Sequence, residues 1–296
     1  MAASPPNAPR TSFVIATRDR APELSAVLHR LLDTSDCPII VVDNASRDNS
    51  VAMAEGVAAR SGRRVTVIPL SRNEGAVARN IGVAHSGTPY IAFCDDDSWW
   101  APEAPALAEA LFDRHPTVAL LAARTVIWPQ RREDPLVAEF AASPLGRDPA
   151  LPGPSILGFQ SCSAVVRKAA FEAAGGFSPI LHFRGEEDLL AWDLAADGWD
   201  LCFAPGLVAY HQPSAARSAS RVQRARVRRN ALLSACLRRP AGRCARTAAD
   251  LAWAASHDSA HARALLEAVA AMPAALRARR RLPDRVERSV RLLEKR

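Results

Sequence analysis

No apolar stretch of this chain reaches the roughly 20 residues a helix needs to cross a bilayer, so no transmembrane helix is expected. The first ten residues, Met1 to Arg10, lack an apolar h-region, which argues against a signal peptide and reads as a short disordered lead-in. Cysteine is sparse. Cys37, Cys94, Cys162, Cys202, Cys236 and Cys244 are scattered with no CxxC spacing, and most sit among apolar neighbours, where a reduced thiol packs as a small hydrophobe. That pattern argues against a zinc site or a disulfide framework and points to the cytosol. There is no internal repeat, and no interleaving of basic and aromatic residues that would mark a nucleic-acid recognition module.

What is present is ordinary for a globular protein of 296 residues: 49% apolar and 23% charged, enough to bury a full core. The net charge of +7 is unevenly placed. Arginines concentrate after Ser214, while acids cluster at Asp95 to Asp97 and Glu186 to Asp188. A basic half of this kind suits nucleic acid, an anionic membrane surface or the phosphates of a small substrate, although solvated helical faces account for such charge equally well.

Strand and helix patterns alternate from the start. Ser12–Thr17, Pro38–Asp43, Val65–Leu70 and the run ending at Asp95 read as buried strands, with helices over Arg20–Leu32, Ser50–Arg60 and Gly75–His85 between them. Short links between alternating elements imply a mostly parallel sheet covered on both faces. Further along, a helix is predicted over Ala101–His115, strands over Val118–Ile127, Ser161–Val166 and Leu201–Tyr210, and a helix over Glu186–Asp197 closed by Gly198. Pro129–Pro154 reads as a long loop over the site. Beyond His211 four Ala-, Arg- and Leu-rich helices are expected: Ser220–Arg239, Ala241–Ser256, His261–Arg281 and Asp284–Lys295. The predicted organisation is a lead-in over 1–10, an α/β domain over 11–212 and a basic helical region over 213–296.

The sharpest local feature is Tyr90-Ile91-Ala92-Phe93-Cys94-Asp95-Asp96-Asp97, an apolar strand that ends in three acids. Open α/β sheets bind ligands at the carboxyl ends of their strands. Strand alternation would point Asp95 and Asp97 the same way and Asp96 elsewhere. Two convergent carboxylates call for a cation, and a hard divalent ion would also grip phosphate oxygens. A solvated acidic turn capping the next helix is the other reading of these residues.

Several motifs in order, over about Ser12 to His211, make the chain resemble a family 2 glycosyltransferase of the GT-A fold. They are Val14-Ile15-Ala16-Thr17-Arg18-Asp19-Arg20, Val41-Val42-Asp43-Asn44-Ala45-Ser46, Asn73-Glu74-Gly75 with Arg79-Asn80-Ile81-Gly82, and Asp95-Asp96-Asp97 in the place of a DxD motif. The resemblance implies a Rossmann-like, mostly parallel mixed sheet flanked by helices, with the C-terminal helices as an appendage. It implies a nucleoside-diphosphate-sugar donor held by Thr17, Arg18, Asp19, Asp43, Asn73, Arg79, Asp95 and Asp96. Arg79 would approach the phosphates or anchor Asp95. A Mg²⁺ or Mn²⁺ ion would be held by Asp95 and Asp97, and His211 completes the metal shell in some members; a lone histidine at a strand end also has structural uses.

In the same family an acidic pair before a helix supplies the general base, here within Glu186-Glu187-Asp188. Counting back from Gly198-Trp199 places Glu187 where the family usually has Asp, with Asp188 as the alternative by a one-residue shift. An acidic first turn favoured by the helix dipole is the plain alternative. Trp99 or Trp100 would stack on a sugar, or simply pack.

The implied activity is a metal-dependent, inverting transfer of sugar to a hydroxyl of a saccharide, lipid-linked or natural-product acceptor, with no nucleic-acid partner. Placement would be cytoplasmic; the arginines of Arg217–Arg239, Arg226 among them, would clamp the diphosphate, bind an anionic acceptor or make peripheral contact at the inner membrane face, a solvated helical face being the plain alternative. A nucleotidyltransferase-like enzyme is a second reading, weakened because Thr17-Arg18-Asp19-Arg20 has no glycine for a phosphate loop. A non-enzymatic anionic-surface or nucleic-acid binder acting through the tail is the third.

Overall fold

A computed structural model describes residues 8–213 and 220–295. Its elements, in chain order, are β1 (Thr11–Thr17), α1 (Ala21–Thr34), β2 (Ile39–Asp43), α2 (Ser50–Arg60), β3 (Val65–Pro69), α3 (Val77–His85), β4 (Tyr90–Asp95), β5 (Ser98–Trp100), α4 (Ala104–Arg114), β6 (Val118–Ile127), β7 (Arg132–Glu133), α5 (Pro135–Ala141), β8 (Ala164–Arg167), α6 (Lys168–Ala173), α7 (Glu186–Ala196) and β9 (Asp200–His211). Four helices follow: α8 (Arg221–Arg238), α9 (Ala241–Ala255), α10 (Ser259–Arg277) and α11 (Asp284–Leu293). Residues 1–7 of the expected lead-in lie outside the described residues, and Arg10 is tied to α4 through Asp113 and Glu109.

One nine-stranded sheet runs β3-β2-β1-β4-β8-β6-β9-β5, with β7 beside β6. The half built from β1 to β4 is parallel, and its strands are continuous apolar runs because helices cover both faces. The second half departs from the parallel expectation: β8 runs antiparallel to both β4 and β6, and β5 antiparallel to β9.

Apolar side chains alternate to the two faces. Phe13, Ile15 and Val41 pack under α1, α2 and α4, and Val14, Val42 and Phe93 pack under α3, α6 and α7. α1 contributes Leu24, Val27, Leu28 and Leu31 at helical spacing, with a proline in its first turn where the missing N–H costs nothing. Gly82 lets α3 lie close on the sheet, since a Cβ there would stand 2.5 Å from Val14 Cγ1.

The order 2-1-4 reverses the direction of chain progress at β1, which opens a crevice between the carboxyl ends of β1 and β4. Register sets Thr17 beside Asp43 and Ala16 beside Asp95, so the ends of three strands converge there.

Several sequence expectations need correction. The Pro129–Pro154 loop contains α5 and one half of the β6–β7 pairing, and Val137 and Phe140 bury against the core. Ser161–Ser163 is a 3₁₀ turn and only Ala164 onward is strand. The final strand is long, 12 residues, interrupted at Pro205–Leu207 where register with β6 jumps from Ala204 to Val208. Proline cannot donate to the ladder, and the chain bulges there. Cys236 and Cys244 are joined by a disulfide between α8 and α9. This overturns the all-reduced reading and removes one ground for expecting a reducing compartment. Cys37, Cys94, Cys162 and Cys202 are free and buried, as packing thiols.

The C-terminal helices pack against the α/β domain. Leu232, Leu233, Cys236 and Leu237 of α8 share a core with Leu181 and with Leu189 of α7. Arg238 pairs with buried Asp193 of α7 at 2.5 and 2.9 Å, and Arg239 with Glu287 of α11 and with Glu294 just past its end. Buried Asn230 donates to the carbonyls of Leu181, Phe183 and Arg184 at 3.1, 2.9 and 2.6 Å. No helix among the described residues is long and apolar enough to cross a membrane.

Candidate active site

The three acids at the end of β4 do not follow strand alternation, because the chain turns back immediately after Asp95. The Asp95 N–H donates to Ser98 Oγ at 2.7 Å, and residues 96–97 form the turn into β5. Each carboxylate therefore finds its own partners. Asp95 receives Arg79 Nη2 at 2.5 Å, Asp96 receives Thr17 Oγ1 at 3.0 Å and Arg20 Nε at 3.2 Å, and Asp97 receives Arg20 Nη2 at 3.0 Å. Of the two roles expected for Arg79, the geometry realises the anchoring of Asp95. Burial, with Asp95 close by, pushes the Asp96 carboxyl up to about 7 although Arg20 opposes the shift.

The expected metal ligands are brought together in part. His211 pairs with Ser98 across the β5–β9 ladder, which sets its Nε2 at 3.4 Å from Asp97 Oδ1. Neither shielded ring nitrogen of His211 has a hydrogen bond among the described residues. Burial lowers the imidazole pKa, but Asp97 and then Asp95 outweigh it, and the net shift is upward. Asp97 with His211 is a fitting donor pair for a divalent cation: one hard carboxylate and one imidazole, adjacent and shielded. Asp95 is turned to Arg79 instead, and no cluster of three His, Cys, Asp or Glu suited to a metal forms among the described residues.

The residues expected around a nucleotide sort into two groups. Thr17, Arg18, Asn73, Arg79, Asp95 and Asp96 line a cavity of about 260 Å³ at the β1–β4 crevice. Asp43 and Asp19 do not line it. Asp43 is buried and accepts both the N–H and the hydroxyl of Ser46, closing its own loop. Asp19, in a left-handed conformation that Asp tolerates, accepts from the Arg47 N–H at 2.6 Å and ties the β1 and β2 loops together. That bond holds its carboxyl below the usual range. On the other side of the acids, a cavity of about 710 Å³ shares Arg20 and Asp96 and extends past Asp97, Trp99 and Trp128.

Gly75 is required at the first cavity. Its φ is +62°, and a Cβ there would lie 2.1 Å from the His182 carbonyl, to which the neighbouring Ala76 N–H donates at 2.7 Å.

The acidic cluster of α7 also separates by role. Glu186 is buried, and burial together with Glu187 pushes its carboxyl up to about 8. Glu187 is partly exposed and accepts from Ser161 Oγ at 3.1 Å, within electrostatic reach of Arg79. Asp188 faces away, towards Gly158 and a crevice lined by Leu136, Glu139 and Phe140. Of the three, Glu187 stands best on the site side.

An acid whose pKa is raised by folding favours the fold fully below its ordinary value of 4.5 and loses that contribution as pH rises through about 8. Wild type should therefore melt lower at pH 8.5 than at pH 5.5, and Glu186→Gln should shrink that gap by about 2–4 °C. Melting curves at the two pH values check this, and an unchanged gap would contradict it.

Trp100 is core: buried, with Nε1 on the Phe93 carbonyl at 3.1 Å. Trp99 lies between Tyr210, stacked at 5.6 Å, and the Arg30 guanidinium at 3.8 Å, so neither indole offers a free face to a sugar. Among the tail arginines, Arg238 and Arg239 are committed to internal ion pairs, and Arg217 lies outside the described residues. Sequence reasoning assigned no role to Arg20, Asn44, Ser161 and His182, and it named Arg226 only as one of the tail arginines that would clamp a diphosphate, bind an anionic acceptor or lie on a membrane. Arg20 stood within the quoted first motif, and Asn44 within the second, where it holds the Gly75 loop by bonds to the Gly75 carbonyl and the Glu74 N–H. Ser161 and His182 come from remote segments and had no local signal.

Comparison with known proteins agrees with this geometry. Residues 12–175 match the glycosyl transferase family 2 model. A pre-mycofactocin glycosyltransferase of Mycobacterium tuberculosis is 32% identical over 218 residues, 70% of this chain and 44% of its own length. The chain thus spans less than half of that relative. Among solved structures, a mannosyltransferase from Pyrobaculum calidifontis in complex with GDP-Man and Mn²⁺ superposes with a TM-score of 0.61 at 22% identity, over 99% of this chain and 81% of that one. S. aureus TarS 1-349 in complex with UDP-GlcNAc gives 0.55 at 15% identity, over 76% and 66%. These two likenesses speak to the fold, which is GT-A. Strand ends, acids and family match agree, and the chain belongs to glycosyl transferase family 2.

Proposed function

We propose that the protein is a metal-dependent, inverting glycosyltransferase that moves a sugar from a nucleoside-diphosphate-sugar to an acceptor hydroxyl. The observation that carries this reading is the crevice where Arg20 and Arg79 hold Asp95, Asp96 and Asp97 at the ends of β1 and β4, with Glu187 near the same charges. Asp97 and His211 would hold Mg²⁺ or Mn²⁺, with phosphate oxygens and water as further ligands. When bound, that ion supplies charge neutralisation for the departing diphosphate.

This chain's residues do the rest. Thr17, Arg18 and Asn73 bind and orient the donor, Arg79 holds Asp95 in place on the cavity wall, and Asp43 with Asp19 shapes the loops at its base end. Glu187 accepts the acceptor hydroxyl proton, the oxygen bonds to the anomeric carbon, and the bond from that carbon to the phosphate oxygen breaks as the nucleoside diphosphate leaves. A single displacement with one base inverts the anomeric centre. Ser161, donating to Glu187, keeps the carboxylate aimed.

The acceptor belongs to the same reading as a saccharide, lipid-linked or natural-product hydroxyl, and the mycobacterial relative is a pre-mycofactocin glycosyltransferase. The enzyme would act on the cytoplasmic side, with peripheral contact to an anionic membrane through α8 to α11. Apart from Phe183, the exposed large apolar side chains among the described residues lie in these helices, including Val227, Trp253, Leu266 and Val269. Co-sedimentation with anionic vesicles, weakened by Trp253→Ser, is expected; no sedimentation at low salt would remove the membrane contact.

Calorimetry against UDP, GDP, dTDP and CMP, with and without Mn²⁺, tests the central claim. Metal-dependent binding of one nucleotide supports it, and a folded sample that binds none refutes it.

A further inference from the structure

Two of the four arginines that line the small cavity are already spoken for. Arg79 is buried and locked on Asp95, and Arg20 bridges Asp96 and Asp97. Arg18 is a surface residue beside Asp19 at 3.4 Å. The fourth, Arg226, reaches the cavity from α8, a helix that lies wholly beyond the residues matched by the family. It is partly buried and, unlike Arg221, Arg229, Arg238 and Arg239 on the same helix and its cap, it makes no ion pair among the described residues.

The surroundings hold it there. Arg226 and Asn230 are four residues apart and so share a face of α8. Asn230 clamps the carbonyls of 181, 183 and 184, and that loop places His182 and Phe183 on the cavity wall beside Arg226. The proximity is felt electrostatically: burial first, and then Arg226, lowers the His182 pKa. A guanidinium with no acid partner among the described residues, facing a cavity at the ends of β1 and β4, is a ready partner for phosphate oxygens.

We infer that Arg226 of α8 binds the diphosphate of the donor, supplying the cation that Arg20 and Arg79, engaged with the acids, do not. This rests on the donor-pocket reading above and adds to it a C-terminal helix that takes part in the site. The contact would persist on the leaving nucleoside diphosphate, so it bears on both binding and departure.

Calorimetry on the full chain in Mn²⁺ tests it with UDP, GDP and the corresponding nucleosides. Arg226→Ala should weaken the preferred nucleoside diphosphate about tenfold and its nucleoside little, with partial recovery in Arg226→Lys. Arg228→Ala, which removes an equal charge from the same helix away from the cavity, should change neither. Thermal unfolding of each variant verifies that the fold is kept. Wild-type affinity in Arg226→Ala overturns the inference while leaving the donor pocket standing. Equal losses in Arg226→Ala and Arg228→Ala overturn it in favour of a diffuse basic field. If wild type binds no nucleoside diphosphate, the donor reading falls and this inference falls with it.

Discussion

Replacing Glu187 by glutamine is expected to lower kcat by about 100- to 10,000-fold while leaving nucleoside diphosphate affinity near wild type. The amide keeps the shape of the side chain and can still accept from Ser161, so the fold is not put at risk. What is lost is the ability to take the acceptor proton as the new bond forms. The parallel variants discriminate among neighbours. Asp188→Asn should have little effect, because Asp188 faces the crevice around Gly158 on the other side of α7. Glu186→Gln should change stability with pH more than it changes turnover, because Glu186 is buried. Steady-state rates of nucleoside diphosphate release with purified variants provide the measurement. Near-normal turnover in Glu187→Gln, with a collapse in Asp188→Asn, would move the base by one residue.

Replacing Asp97 by alanine should abolish the metal-dependent part of nucleotide binding, a loss on the order of 100-fold in affinity with Mn²⁺ present. His211→Ala should cost less, about tenfold, since phosphate oxygens and water replace one imidazole more easily than an anionic ligand. Asp95→Ala should behave differently from both. It strips the partner from Arg79, which is 5% exposed, and an uncompensated buried charge typically costs about 3–5 kcal/mol. Its first symptom should therefore be a lowered melting temperature, whereas Asp97→Ala leaves Arg20 its Asp96 partner. Binding isotherms with and without Mn²⁺, paired with melting curves, separate the two. Equal metal dependence in wild type and Asp97→Ala would rule out the proposed metal position.

Much of the architecture was legible because burial leaves a periodic mark on sequence. Ile39-Ile40-Val41-Val42 is apolar throughout because helices cover both sides of β2, and Leu24, Val27, Leu28 and Leu31 recur as they do because one face of α1 meets the sheet. The four C-terminal helices were readable for the same reason. The 3₁₀ turn at Ser161 and the bulge at Pro205–Leu207 were not, since both depend on where a neighbouring strand runs and not on local periodicity.

The site divides along the same line. Local sequence determined which acids stand at which strand end, because a motif is a short-range object: Thr17, Asp43 and Asp95 to Asp97 follow directly from where their strands stop. Tertiary structure alone decided what each acid does. The turn at residues 96–97 sends Asp95 to Arg79 and Asp97 to Arg20 and His211, although strand alternation taken alone would have aimed both acids at one cation. Arg20, 77 residues from Asp97 in sequence, and Arg226, one of many tail arginines among which sequence alone could not choose, meet the cavity because strand pairing and the packing of α8 bring them there. Electrostatics acts through space, and the partners that set a charge's role were chosen by the fold.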